Sequence, residues 1–162
     1  MRARLNYAMR RGLGHMMGCA LWLLAVMMAG GTMTSCELET SGNGELDGFW
    51  QMVRLDTLAT GGSCDMSVTR RYWSVQSRLL QVSDLSYRED SYLFRFEHEG
   101  TELRLSDPYV VNHATGDVRL EDAERLRPYG MYALSTRFDV ERLDADRMVV
   151  RSDSVRVWLE KR

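Results

Sequence analysis

Alternation of apolar and polar residues is the feature that most constrains the fold of this chain. From residue 48 onward, short runs place apolar side chains at every second position, as Tyr92, Phe94 and Phe96 do. A period of two residues is typical of a β-strand with one face in a core and the other in water. Helical periodicity is nearly absent, so the pattern predicts an antiparallel sheet with one wet face.

The predicted strands are short, and turn residues separate them. Glu99-Gly100, Asp144-Ala145-Asp146 and Ser152-Asp153 supply turns, which gives seven or eight strands in a meander. A sheet of that size protects its edges best when it closes into a barrel. We therefore predict an all-β fold, an antiparallel up-and-down β-barrel of about eight strands. One short helix is expected over residues 121–126, ended by Pro128-Tyr129-Gly130.

Two irregularities interrupt the alternation. The inward phase slips between Leu79 and Leu80, which predicts a β-bulge or a bend in one continuous strand. Asp107-Pro108 predicts the end of another strand, because proline has no N–H group to donate to a ladder.

The first 35 residues differ in composition from the rest. They hold four arginines and no acidic residue, and an apolar run covers residues 19–30. A basic segment, an apolar helix and a small-residue exit are typical of a secretory signal peptide, which we predict over residues 1–35. The alternative is a membrane-spanning helix, which needs roughly 20 mostly apolar residues, more than this run offers. The start of the protein is either Met1 or Met9.

A cysteine directly follows this segment. Met33-Thr34-Ser35-Cys36 resembles the lipobox of bacterial lipoproteins, and an ordinary cysteine of the mature chain is the alternative. The resemblance implies that the Cys36 thiol carries a diacylglyceryl group, that cleavage precedes it, and that a further acyl chain such as palmitate is added. Two or more chains give stable anchoring. Residues 36–47 then form a flexible tether, and the protein is expected at the outer membrane, on its periplasmic or cell-surface face.

Charge and length limit the partners and the number of domains that the mature chain can have. Of the 21 basic residues four precede residue 36, so 17 stand against 23 acidic ones and residues 36–162 carry a net charge of −6. A negative domain is a poor nucleic-acid binder, because neutralised phosphates supply most of that affinity. The length suits one domain, predicted as a barrel over residues 48–162.

The sequence carries no pattern that indicates catalysis or metal binding. His98 and His113 form no metal-binding pair, Cys64 has no partner cysteine at C-x-x-C spacing, and G-x-S-x-G and phosphate-loop motifs are missing. Cys64 is expected to be a thiol in a loop or at a strand edge. We therefore predict a protein that is not an enzyme, with no cofactor, no metal and no catalytic residue.

Several segments resemble a known family. Gly48-Phe49-Trp50 resembles the G-x-W motif of lipocalins, and residues 72–80, 127–131 and 143–150 resemble small lipocalin-like lipoproteins of anaerobic Gram-negative bacteria. The resemblance implies an eight-stranded up-and-down barrel and no particular ligand. Lipocalins stack an arginine from the last strand on the tryptophan of this motif. Arg156 is the candidate here, although its place in the alternation points it outward.

The barrel interior is the remaining candidate site. An eight-stranded barrel has room for packed side chains or for one small ligand. The residues expected to line it are Trp50, Trp73, Val75, Tyr92, Phe94, Phe96, Leu103, Val140 and Val157. Our first hypothesis is a lipid-anchored lipoprotein whose barrel binds a small apolar molecule. The alternative is a non-enzymatic accessory or interaction module of the cell envelope, with a filled barrel and a protein partner.

Overall fold

The computed structural model describes residues 42–162. The predicted signal peptide with its helix, the lipidation site Cys36 and residues 36–41 of the predicted tether lie outside the described residues. Two short 3-10 helices occupy Gly44–Leu46 and Ala123–Tyr129. The strands are β1 Gly48–Thr57, β2 Gly62–Asp65, β3 Arg71–Gln76, β4 Leu79–Asp84, β5 Tyr92–Glu99, β6 Glu102–Val110, β7 Val118–Arg119, β8 Thr136–Leu143, β9 Arg147–Arg151 and β10 Val155–Lys161.

Eight of these strands close into an antiparallel barrel. Their order is β1, β3, β4, β5, β6, β8, β9 and β10, and β10 returns to pair with β1. The closing ladder runs from Trp50 opposite Lys161 to Thr57 opposite Val155. The predicted all-β, up-and-down barrel is therefore confirmed. Among the described residues, no helix has the length and apolarity needed to cross a membrane.

Two very short strands extend the barrel wall. β2 pairs with Arg54–Thr57, beyond the point where β3 leaves β1. β7 pairs with Tyr109 and Val110 of β6, beyond the end of the β6–β8 ladder. Every residue of both strands is exposed, so neither shows the alternation that predicts a strand.

The phase slip at Leu79 is a hairpin and not the predicted bulge. β3 ends at Gln76, β4 begins at Leu79, and these two residues face each other across a turn of Ser77 and Arg78. Ser77 has a φ of 56°, a conformation for which turns usually use glycine, asparagine or aspartate. The turn was missed because neither Ser77 nor Arg78 is the glycine, asparagine or aspartate that a left-handed two-residue turn usually uses.

Pro108 does not end a strand, so that prediction was wrong. β6 runs through it to Val110, and the register shifts there, with Asp107 and Pro108 together facing Phe94. Asp107 has a φ of 49°. At such a bulge the proline need not donate a hydrogen bond to the ladder. The carbonyl of Pro108 accepts a hydrogen bond from Leu120 N at 2.8 Å.

The short helix was predicted slightly too early. It covers Ala123–Tyr129 and includes Pro128, whose fixed φ suits a 3-10 turn. Asp122 caps its start by accepting a hydrogen bond from Glu124 N, and Gly130 ends it in the left-handed conformation.

The two ends of the barrel differ. The end nearest Gly42 carries the helix Gly44–Leu46 and the β3–β4, β5–β6 and β8–β9 turns, and we call it the tether end. The opposite end carries the longer connections. Residues 120–131, which include the second helix, lie across it and are called the lid. One contiguous cluster of buried side chains fills the space between Leu46 at the tether end and Leu126 of the lid.

Candidate functional site

The barrel interior holds the residues predicted to line it. Eight of the nine are buried, and Val140 is partly buried against the same core. Cross-strand neighbours bring them together, with Trp50 opposite Trp73 and Phe138 opposite Leu103. The aromatic pair Trp73 and Phe138 meets edge to face at 5.5 Å between ring centroids. Their burial is therefore established, whereas ligand binding by these residues stays a prediction.

The interior is packed over the part of the barrel that these residues form. Trp50, Trp73, Leu103 and Val157 each have 0% of their surface accessible to a water-sized sphere. A side chain beside a void large enough for water would show accessible surface there, so none of these four borders such a void. The interior around these four side chains is therefore filled by protein atoms.

Trp50 is fixed at the tether end by a cation that the sequence analysis did not assign. Its Nε1 donates to the carbonyl of Leu46 at 2.9 Å, and Lys161 Nζ lies 4.7 Å from the centroid of its ring. The same ammonium group donates to the carbonyl of Glu45 at 2.9 Å. Lys161 therefore takes the place expected for Arg156.

Arg156 lies on the outer face. Its guanidinium donates to both carboxylate oxygens of Glu141, at 2.6 and 2.9 Å. This two-point hydrogen bond holds the pKa of Glu141 below its usual range. The outward direction given by the alternation was correct, and it excludes Arg156 from contact with Trp50.

Tyr129 joins the lid to the barrel. Its ring is fully buried and meets the ring of Tyr92 edge to face at 5.8 Å, and its hydroxyl donates to the carbonyl of Asp90 at 2.8 Å. Arg125 adds an ion pair with the Asp90 carboxylate and lies 5.6 Å from the centroid of the Tyr92 ring. The lid is therefore held by both packing and polar contacts.

Burial sets the ionisation of the two tyrosines at this end. Loss of water around Tyr129 raises the pKa of its phenol well above the ordinary value, and the Asp84 carboxylate adds to the effect. Burial likewise raises the pKa of Tyr92, while the positive charge of Arg125 opposes the shift. A phenol is neutral at physiological pH in any case, and burial keeps both rings neutral at more alkaline pH as well.

Three buried polar atoms have no hydrogen-bond partner within the described residues. They are Nε of Arg71 near the lid end, Nε1 of Trp73 in the core and Nε2 of His98 on β5. Arg71 faces Asp84 across the β3–β4 ladder, and Asp84 is itself buried and accepts hydrogen bonds from Ser86. Buried donors without a partner are rare and costly, so the Arg71 and Trp73 atoms are a specific feature of the interior.

Besides a smaller groove on β5 and β6 that includes Glu97 and Arg104, two larger grooves lie on the outer face of the described residues. One is lined largely by apolar residues, has a volume of about 240 Å³ and includes Leu79, Leu93 and Tyr109. The other has a volume of about 310 Å³. It lies along β8 and β9 near the lid end and includes Tyr132, Arg137, Asp139, Arg151 and Asp153. We call the second one the polar groove.

The described residues contain no group of three or more histidine, cysteine or acidic side chains placed to hold a metal ion. Cys64 is an exposed free thiol on β2, at the edge of the sheet. Cys36 lies outside the described residues, so its lipidation stays a prediction. The predicted absence of catalytic residues, metal and cofactor also stays a prediction.

Sequence reasoning missed the lid contacts and the polar groove. Asp90 and its partners Arg125 and Tyr129 are 35 and 39 residues apart, and no alternation reports such a pairing. In the sequence, only the place of Tyr129 within the helix stop Pro128-Tyr129-Gly130 marked this residue. The groove residues are outward charges, which are common on any strand with one wet face.

Comparison with known proteins agrees with this architecture. A lipocalin-like protein from Bacteroides uniformis is similar in fold, with a TM-score of 0.56 and 16% sequence identity, over 74% of this chain and 100% of that chain. An uncharacterized protein from Bacteroides eggerthii gives a TM-score of 0.53 and 12% identity, over 72% and 98% of the two chains. At these identities the likeness shows the fold alone. No curated protein matches the chain.

The family signature described as "Lipocalin-like domain" matches residues 31–162, which is most of the chain. The match includes Gly48-Phe49-Trp50 and all eight strands of the barrel. The resemblance drawn from the sequence is therefore confirmed. The chain belongs to the lipocalin-like domain family.

Proposed function

We propose that the protein is a non-enzymatic accessory module of the bacterial cell envelope, anchored by lipid at Cys36, whose filled barrel acts through its outer surface. The observation that carries this proposal is the complete burial of Trp50, Trp73, Leu103 and Val157. A standing ligand cavity would expose part of these side chains, and Leu46 at the tether end and Leu126 of the lid are fully buried as well.

The start of the described chain supports an orientation for the anchored protein. Asn43 Nδ2 donates to the carbonyl of Ser77 at 2.8 Å, so the chain enters the barrel beside the β3–β4 turn. Six residue steps separate Cys36 from Gly42, a reach of at most ~20–22 Å. In an anchored protein the tether end therefore faces the membrane, and the lid and polar groove face away from it.

The anchor is tested by Cys36→Ala in the full chain. We expect the variant to leave the membrane fraction or to retain its signal peptide, because the acyl acceptor is gone. Cys64→Ala is the matched control and should fractionate as the wild type does. Unchanged membrane fractionation of Cys36→Ala would refute the anchor.

The accessory role is tested by chemical crosslinking in intact cells that express the full chain. A protein partner recovered in stoichiometric amount, and lost in the Cys36→Ala variant, is the expected result. Failure to recover a stoichiometric partner would defeat the accessory role and leave the anchor experiment unaffected.

Binding of a small apolar molecule inside the barrel is the second candidate function. The observation in its favour is the pair of buried donors without a partner, Trp73 Nε1 and Arg71 Nε, which a ligand oxygen would satisfy. Entry would require displacement of the lid. Native mass spectrometry of the purified full chain should then show a co-purifying compound, and its absence from both the wild type and the Tyr129→Phe variant would reject this function.

A further inference from the structure

The polar groove lies on the outer face of the barrel, away from the packed interior. Arg137 and Asp139 project from β8, Arg151 projects from β9, and Asp153 and Ser154 belong to the turn that follows β9. Its volume of about 310 Å³ is at the lower end of the range for small-molecule sites, ~300–1,000 Å³.

The charges in this groove keep their hydrogen-bonding capacity. Asp139 faces Arg151 in the β8–β9 ladder. Within the described residues, the side chains of Asp139, Arg151 and Asp153 make no hydrogen bond and no ion pair within 4.0 Å, while Arg137 reaches Glu102 only at 3.8 Å. Some arginines of the same sheet are paired closely, as Arg156 is with Glu141 at 2.6 Å, whereas Arg95 and Arg147, like Arg151, have no ion pair within the described residues. The groove brings two carboxylates and two guanidiniums together in one concave space.

An aromatic ring forms one wall of the groove. Tyr132 is 44% exposed, although it follows directly after the buried lid residue Met131. The guanidinium of Arg127 lies 5.4 Å from the centroid of its ring, and Arg127 is itself paired with Glu124 at 2.7 Å. The ring is thus held in place while part of it remains open to a ligand.

These groups fit a ligand that has no net charge and many hydroxyls. Two carboxylates and two guanidiniums cancel each other, so neither an anion nor a cation is favoured as a whole. Carboxylates only accept hydrogen bonds and guanidiniums only donate them, whereas a hydroxyl does both. A sugar ring offers adjacent hydroxyls at its rim and an apolar C–H face that packs on an aromatic ring. We propose that the polar groove binds a neutral saccharide of one or two sugar units.

The inference is independent of the lipid anchor and of any ligand inside the barrel. All the groups that carry it lie on the outer surface at the lid end, the end that would face away from a membrane. It adds a recognition site to the proposed accessory role, and it can fail while that role stands.

The experiment is a titration of the purified full chain with a panel of neutral sugars. Binding is measured by isothermal titration calorimetry or by ligand-observed NMR. The panel includes glucose, galactose, mannose, N-acetylglucosamine and their disaccharides, and inorganic phosphate and glucosamine serve as charged probes. We expect at least one neutral sugar to bind with a saturable signal. Because hydrogen bonds to charged groups are among the stronger ones, Asp139→Asn and Arg151→Gln should each weaken binding about tenfold or more.

Tyr132→Ala should weaken binding of the same sugar, and Glu97→Gln, on a separate outer surface of β5, is the matched control that should leave it unchanged. The unfolding midpoint of each variant shows that the barrel is intact. Absence of saturable binding for the whole panel overturns the proposal. Binding that survives both the Asp139 and Arg151 substitutions, or tighter binding of the charged probes, also overturns it.

Discussion

Gly130 lies where the lid packs against the barrel wall. It has a φ of 82°, and an added Cβ would lie 2.8 Å from Val157 Cγ2 and 3.3 Å from Leu55 Cδ1. We expect Gly130→Ala to lower the free energy of unfolding by about 2–4 kcal/mol, from backbone strain and overpacking together. Denaturant unfolding measures the loss.

Gly61→Ala is the matched control for this substitution. Gly61 has a similar φ of 67°, and nothing lies within 4 Å of its added Cβ. Its variant carries only the backbone strain, about 1 kcal/mol. Equal losses at the two positions would show that the lid does not press on Val157.

Lys161 stabilises the tether end through its contact with Trp50. Its ammonium group stacks on Trp50, whose ring is fully buried, and it caps the Glu45 carbonyl. We expect Lys161→Met to lower the free energy of unfolding by about 1–2 kcal/mol, because the cation–π contact is partly desolvated. Lys161→Arg should keep most of the stabilisation that the cation–π contact provides. If the methionine and arginine variants are equally stable, the charge does not contribute.

The contact between Lys161 and Trp50 shows what the sequence could predict at the scale of a residue. Alternation in β10 points Val155, Val157 and Leu159 inward, and one further step places Lys161 on that face. The signal was therefore present, and it also excluded Arg156. Lys161 was overlooked because the family pattern indicates an arginine and because a residue next to the end of the chain is usually exposed.

The lid is the element whose stability should depend on pH. The folded state raises the pKa of Tyr129, whereas the unfolded chain has the ordinary value near ~10. Stability is therefore fully present below pH ~10 and falls as the pH rises above it, because the unfolded state releases the proton first. Between pH ~9 and ~11, Tyr129→Phe should lose about 1.4 kcal/mol less than the wild type. An identical loss in both proteins would mean that Tyr129 ionises freely.

Elements were predicted well where burial alternates and poorly where the backbone bends. β5, β8, β9 and β10 agree with the predicted runs, because each has one face in the core. The hairpin at Ser77 and the bulge at Pro108 depend on left-handed backbone at Ser77 and Asp107. Serine and aspartate adopt this conformation less readily than glycine, so neither residue indicated a left-handed backbone. The pattern therefore predicted a bulge or bend at Leu79 instead of a hairpin, and a strand end at Pro108 instead of a bulge.

At the scale of the whole molecule, closure of the barrel was predictable and the state of its interior was not. A meander of eight strands closes because it would otherwise leave two long edges. The predicted lining residues are the same whether they surround a ligand or one another. Only the packing of the lid and of Leu46 against them distinguishes these cases, and that packing joins segments far apart in sequence.

The filled interior predicts that both ends of the barrel unfold together. Leu46 closes the tether end and Leu126 closes the lid end, and both are fully buried in one core cluster. Leu46→Ala and Leu126→Ala should each lower the free energy of unfolding by about 2–5 kcal/mol. Val118→Ala, at a position 61% exposed, is the control and should stay within about 0.5 kcal/mol.

Cooperativity is the sharper test of that prediction. Far-UV circular dichroism reports the strands, and the tryptophan fluorescence of residues 36–162 reports the buried rings of Trp50 and Trp73 together with the partly buried Trp158. Because the lid and the barrel share one core, the two signals should follow a single transition in the wild type and in both leucine variants. A tryptophan signal that changes before the far-UV signal in Leu126→Ala would show that the core beneath the lid opens separately from the strands. That outcome would favour a ligand-binding barrel over a filled one.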